Sequence, residues 1–155
     1  MVTKWLDEGE QATWRAWLDT YRLLLPALDR ELQAAEPGKS ASFTDYEVLV
    51  HLSEAPDQRL RMSEVADRAL ATRSAITRTV DRLVARGWVR RVRSDTDQRG
   101  FYAELTDEGA TVLAAIAPGH VAAVREYLIG LLTEQEMAAI RSIGDRVRRR
   151  MSETG

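Results

Sequence analysis

Arg73, Ser74, Thr77 and Arg78 stand in a stretch whose apolar residues recur at helical spacing, and their chemistry suits contact with a polyanion. On a wheel of about 100° per residue, Ile76, Val80, Leu83 and Val84 fall on one side. Ser74, Arg78 and Arg82 fall opposite, with Thr77 and Asp81 at a flank. Arg73 lies at the helix start, where residues of a recognition helix reach base edges. Arginine forms paired hydrogen bonds to a guanine edge, whereas serine and threonine bond bases or phosphates. Arg73 and Arg78 are therefore the candidates for base contact, and Ser74 and Thr77 for phosphate or water-mediated contact. Arg82 has two open roles, contact with DNA or pairing with a nearby acid. Asp81 would repel phosphate, so orienting an arginine suits it better.

A second basic cluster, Arg91, Arg93 and Arg99, lies in a stretch that alternates like a hairpin. A two-stranded ribbon tipped with arginine fits the narrow minor groove, where negative potential is concentrated. Asp97, two residues before Arg99, is placed to hold that guanidinium by a paired hydrogen bond. The alternative is an exposed hairpin with a local ion pair and no target. Exposed pairs contribute only about 0–1 kcal/mol, which gives little reason for so basic a tip. Ser63 is expected to cap a short helix, and the N-terminus it opens could also seat a phosphate.

The charge distribution agrees with these clusters. Over 155 residues the net charge is −2, yet residues 1–59 carry −5, residues 60–100 carry +5 and residues 101–155 carry −2. A basic middle between acidic ends points one patch at a polyanion while the rest is repelled by it. Arginine outnumbers lysine 20 to 2, so the clustering carries more information than the abundance.

The elements that must position these residues follow from periodicity and caps. Trp14, Trp17, Leu18, Tyr21, Leu24, Leu25, Leu28 and Leu32 trace one face of a helix over about 10–35, with Pro26 as a bend. A breaker run at 34–40 ends it. A second helix is expected from Thr44 to Glu54, with Thr44 as N-cap and Glu47 in the capping-box slot. A short helix opened by Ser63 and another from Thr72 to Arg86, closed by Gly87, form a helix-turn-helix. Residues 88–93 and 101–105 read as strands joined by a polar loop, which completes a winged helix. Thr106 is expected to cap a long helix to about Leu132, interrupted at Pro118-Gly119. A last helix starts at Thr133 and places Met137, Ile140, Ile143, Val147 and Met151 on one face. The fold class is therefore mainly α with a small β-hairpin wing. One domain is expected over 1–155, with dimerisation helices at about 8–36 and 106–151 flanking a winged helix-turn-helix at about 43–105. The terminal apolar faces exceed what so small a core covers, which implies a helical dimerisation lobe. Packing within one chain is the alternative.

Leu60-Arg61-Met62-Ser63-Glu64-Val65-Ala66 and Arg73-Ser74-Ala75-Ile76-Thr77-Arg78-Thr79-Val80-Asp81-Arg82-Leu83 together resemble the MarR family of transcriptional regulators. Gly87-Trp88-Val89-Arg90-Arg91, Asp97-Gln98-Arg99-Gly100 and Ala103-Glu104-Leu105-Thr106-Asp107-Glu108-Gly109 continue the match, which is dense over about 43–110. The resemblance implies a homodimer on a pseudo-palindromic double-stranded DNA operator, usually a repressor, often released by a small aromatic or phenolic effector. By the same resemblance Arg99 is the wing arginine entering the minor groove and Asp97 its orienting partner. The family often has Asp-Arg-Arg-Gly here, so Gln98 removes one wing arginine. Effector pockets in the family lie where dimer helices meet the DNA-binding lobe. Trp17, Tyr21, Tyr46, His51 and His120 are the residues that could converge there, with core packing as the alternative for each.

Other chemistries find no support. With no cysteine there is no disulfide, thiolate nucleophile or thiol-based redox sensor. Two histidines 69 residues apart make a zinc site improbable, and no metal or cofactor is expected. There is no G-x-S-x-G, P-loop or dinucleotide fingerprint, so no enzyme is expected. The longest apolar runs reach about six residues, far short of the ~20 of a membrane span. The N-terminus lacks a secretory signal's apolar run, and a soluble cytoplasmic protein is expected. The competing function is a winged-helix module that binds DNA without sequence choice, or binds protein, because fold alone does not decide function.

Overall fold

The computed structural model describes residues 3–94 and 100–153. It divides into two compact units, Met1–His120 and Val121–Gly155.

In the first unit, α1 (Glu8–Gln33) starts at a capping box. Asp7 accepts from the N–H of Glu10 at 2.8 Å, and Glu10 accepts from that of Asp7 at 3.0 Å. Pro26 lies inside this helix without ending it. Only Leu28 and Leu32 of α1 are buried, and Trp14 and Trp17 are each 53% exposed. α2 (Phe43–Ser53) begins one residue earlier than the sequence suggests. Its N-cap is Ser42 with Asp45 in the capping-box slot, not Thr44 with Glu47, because two such boxes overlap here and tertiary packing selects the first.

A three-residue strand, β1 (Arg59–Arg61), leads directly into α3 (Met62–Arg68). Arg61, paired with Tyr102 in the sheet, is the N-cap residue, and its N–H donates to Glu64 at 2.7 Å. Ser63 is thus the second residue of the helix and not its cap, which corrects the expectation above. The following turn closes on Leu70 at φ +49°, an exposed leucine in the region that favours glycine. The N–H of Ala71 returns to the carbonyl of Ala66 at 3.0 Å.

α4 (Arg73–Ala85) is capped by Thr72, whose hydroxyl accepts from the N–H of Ala75 at 3.2 Å. It ends in a Schellman motif. Gly87 takes φ +75°, its N–H bonds Val84 at 2.9 Å, and the N–H of Trp88 bonds Leu83 at 3.0 Å. Ile76, Val80 and Leu83 are fully buried as the wheel requires, whereas Val84 lies at the exposed margin.

β2 (Val89–Arg93) and β3 (Phe101–Leu105) form the hairpin, and the antiparallel order is β1-β3-β2. The register pairs Leu60 with Ala103 and Arg91 with Ala103, so β3 is the central strand. Val48, Leu49, Leu52, Val65, Ile76, Val80, Leu83 and Trp88 fill the core beneath the sheet and helices.

α5 (Asp107–Tyr127) follows from Thr106, whose Oγ1 accepts from the N–H of Gly109 at 3.0 Å and donates to the carbonyl of Gly87 at 2.7 Å. No interruption occurs at Pro118-Gly119. Proline costs a helix interior roughly 3 kcal/mol, and the buried face of Val112, Ile116 and His120 offsets it. An 18-residue stretch within Asp107–Leu131 has a mean hydropathy of 1.3, and the segment is long and apolar enough to cross a membrane by length and composition, which counting contiguous runs did not reveal. Val112 and Ile116 belong to the buried core, so packing accounts for part of that apolarity.

The second unit holds the end of α5, a 3-10 turn at Ile129–Leu131 and α6 (Glu134–Ser152). Thr133 and Glu136 form the expected capping box. No residue of α6 is buried, and its face of Ile140, Ile143, Val147 and Met151 is exposed.

Candidate nucleic-acid interface

The leading half of α4 presents Arg73, Ser74, Thr77 and Arg78 to solvent, as a recognition helix must. The Thr77 hydroxyl donates to the carbonyl of Arg73 at 2.9 Å, which leaves its lone pairs outward. Ser74 and Thr72 share a hydroxyl contact of 3.2 Å. Among the described residues, Arg73 and Arg78 make no ion pair, so both guanidiniums are available to an external acceptor.

Arg82 is placed differently. Its Nη2 donates to Oδ1 of Asp45 at 2.6 Å, and its Nε to the same atom at 3.0 Å. The acid it pairs with lies 37 residues away, not on its own helix. Asp81 does orient an arginine, pairing with Arg91 at 2.8 Å. That pair is solvent-exposed enough to yield readily to a phosphate. Arg93 sits over the Phe101 ring, 5.9 Å from its centroid. Arg90 pairs with Glu104 across the hairpin. Asp97 and Arg99 lie outside the described residues. Ser63 is half-buried in the first turn of a seven-residue helix.

Two further basic residues were given no site role by the sequence reading. Arg59 and Arg61 on β1 stack on Tyr102, with guanidinium carbons 5.3 and 5.2 Å from the ring centroid. A strand of three residues leaves no alternation to detect, so nothing flagged them.

The five effector candidates are brought together only in part. Tyr46 and His120 stack with ring centroids 4.3 Å apart, and Phe43 joins them at 5.9 Å from His120. His120 is 9% exposed, and burial lowers its pKa below the ordinary 6.5. His51 is half-buried further along α2, its pKa lowered by burial and by Arg68 against the opposing Glu54. Trp17 and Tyr21 are exposed on α1. A surface cavity of about 350 Å³ opens beside Glu31, Glu36, Lys39 and Ile116, and none of the five lines it.

A family model described as the MarR family matches residues 42–100, the span that contains α2, β1, α3, α4 and β2. The repressor YetL of Bacillus subtilis is 31% identical over 108 residues, covering 70% of this chain but only 65% of YetL, just under two thirds. A crystal structure of Sco3205, a MarR family transcriptional regulator from Streptomyces coelicolor in complex with DNA, is 41% identical with a TM-score of 0.90. The match covers 95% of this chain and 90% of that one. The PcaV transcriptional regulator of the same organism, solved in complex with its natural ligand, is 25% identical with a TM-score of 0.70. There the coverage is 96% and 98%.

Proposed function

The chain belongs to the MarR family of transcriptional regulators, and from that premise we propose that it is a homodimeric, sequence-specific DNA-binding repressor that works in the cytoplasm and is released by a small aromatic or phenolic effector. One observation carries the DNA-binding reading: Arg73 and Arg78 are exposed, and unpaired among the described residues, on the leading half of α4, the part of a recognition helix that meets base edges. Arg91, Arg93 and the wing residues Asp97 and Arg99 are assigned to the flanking backbone and minor groove. Sco3205, similar over nearly the whole length, is described in complex with DNA, which supports the same partner here. The effector rests on less, namely the ligand complex of PcaV and the Tyr46–His120 aromatic pair.

Selection of bound sequences from random duplex DNA, with purified protein at fixed moderate salt, tests this function. The expected result is an enriched inverted repeat with half-sites about one helical turn apart. Repeating the selection with Arg78→Ala should relax one base position in each half-site, a loss of about 1–3 kcal/mol for the preferred base. Binding without enrichment would replace sequence choice by an architectural role. No binding to any duplex would overturn the proposal.

A further inference from the structure

The trailing half of α4 carries Arg82 and its C-cap residue is Arg86, and neither is free. Arg82 grips the Asp45 carboxylate with Nε and Nη2 together, reaching Oδ1 at 3.0 and 2.6 Å and Oδ2 at 3.3 Å. Asp45 is 2% exposed and serves a second purpose, since its Oδ2 accepts the N–H of Ser42 at 3.1 Å and closes the cap of α2. One turn further on, Arg86 lies over the Trp88 ring at 3.4 Å from its centroid. Its Nη1 and Nη2 donate to the carbonyls of Ser40 at 2.6 Å and Gly38 at 3.1 Å. Residues four apart share a helix face, so both arginines hold the corner between α1 and α2. That corner is itself tied to α1. The N–H of Phe43 donates to Asp29 at 2.7 Å, and that of Ala41 to the carbonyl of Leu32 at 3.2 Å. Hydrogen bonds thus connect α1, the start of α2 and the far end of α4.

We propose that Arg82 and Arg86, with Asp45, are positioning residues for operator choice: a two-point clamp that fixes the roll and height of α4 so that Arg73 and Arg78 meet base edges, without touching DNA themselves. The proposal rests on the DNA-binding function given above. Its physical basis is a division of labour along one helix. Ile76, Val80 and Leu83 hold α4 on the core by apolar contact, which resists removal but is non-directional. A paired hydrogen bond to a base edge weakens steeply with misalignment, so selectivity needs the roll of the helix to be set. A planar guanidinium fork supplies that direction, and the point charge of lysine does not. A pair of one buried carboxylate and one half-exposed guanidinium is also weak evidence for stability, since solvent screens the arginine while the carboxylate carries its desolvation cost. Specification of geometry is the role left to it.

The test compares wild type, Arg82→Lys, Arg86→Lys and the double variant Asp45→Leu with Arg82→Met. The probes are the inverted repeat recovered by selection and a random duplex of equal length, each over a range of salt. The expected result is that all three variants lose about tenfold in the ratio of specific to random affinity. Affinity for random DNA and the salt slope should stay unchanged. The two lysine variants keep Asp45 and its cap on Ser42 and should melt close to wild type, which separates lost selectivity from lost folding; the double variant also gives up that cap and should melt lower while remaining folded. An unchanged ratio in the variants, with wild type still selective, overturns the clamp and leaves the function standing. A loss shared equally by random DNA, with a shallower salt slope, also overturns it and makes Arg82 a phosphate contact. A wild type without preference for any duplex removes the function and the clamp together.

Discussion

His120 places an imidazole between the rings of Phe43 and Tyr46, and its Nδ1 is buried with no hydrogen-bond partner among the described residues. Desolvation lowers its pKa from the ordinary 6.5, so below that pH the unfolded chain takes up a proton that the folded chain refuses. Stability contributed by the neutral ring is therefore complete above 6.5 and falls as pH drops from 6.5 toward the depressed folded value. The melting temperature should decline on acidification through this window, and His120→Leu should flatten the decline. His51, lowered for related reasons, leaves a residual slope. Glu47 acts in the opposite sense, because burial raises its carboxyl above 4.5 and the folded state accepts its proton first. A melting profile of the His120 variant parallel to wild type would show that this ring does not control the acid response. At this scale the sequence made the solvent-facing residues legible. Arg73 and Arg78 followed from the helical wheel because an exposed face needs no knowledge of a partner. The wheel put Arg82 on the same outward side and left its role open between DNA and an acid; which acid was not legible, since Asp45 is distant in the chain and periodicity carries no information about such pairs.

Helix ends and strand registers were legible where one local solution dominates. Thr133 and Gly87 fell where expected, because each is the sole good cap in its neighbourhood, and Thr72 caps the helix that was read from it. The start of α2 was read as Thr44 with Glu47 and lies instead at Ser42 with Asp45, whose carboxylate also pairs with Arg82, a contact that local spacing does not reveal. Pro118 read as a break because local propensity opposes it, and tertiary burial won. The junction of β3 and α5 makes a sharper demand. A Cβ at Gly109 would collide with the carbonyl oxygen of Trp88 and stand 2.9 Å from Cδ1 of Leu105. Backbone carbonyls cannot swing aside as flexible side chains do, so the close approach of α5 to the end of α4 requires glycine. Gly109→Ala should destabilise the fold by about 1–3 kcal/mol or more. In the same helix a Cβ at Gly119 meets nothing within 4 Å, and Gly119→Ala should stabilise by about 0.5–1 kcal/mol. Urea denaturation of both variants checks the pair. Equal effects at the two sites would mean that helix propensity and not the Trp88 contact governs this helix.

For the whole molecule the telling feature is apolar surface left uncovered. Trp14, Trp17 and Tyr21 on α1 are more than half exposed, as are Val147 at 51% and Met151 at 66% on α6. The apolar periodicity that revealed these faces in the sequence could not say what covers them, because one chain's pattern is silent about a second chain. A C2 partner, presenting the same faces, is the occupant that the proposed function requires. It also resolves the charge distribution, since two basic patches at residues 60–100 must then meet one duplex together. Substituting Ile143→Asp and Val147→Asp tests this directly. Both side chains face solvent in the single chain, so the carboxylates cost the isolated fold little. Buried against a partner, the same charges would be unpaired and strongly unfavourable. The variant should therefore sediment as one chain where wild type sediments as two, with the melting of the winged-helix unit retained. On the selected inverted repeat it should bind weakly, with roughly half the salt slope, because one set of arginines rather than two displaces counterions. A variant that still sediments as two chains would move the interface away from α6. A monomeric wild type would remove the dimer, and with it the reason for a symmetric operator.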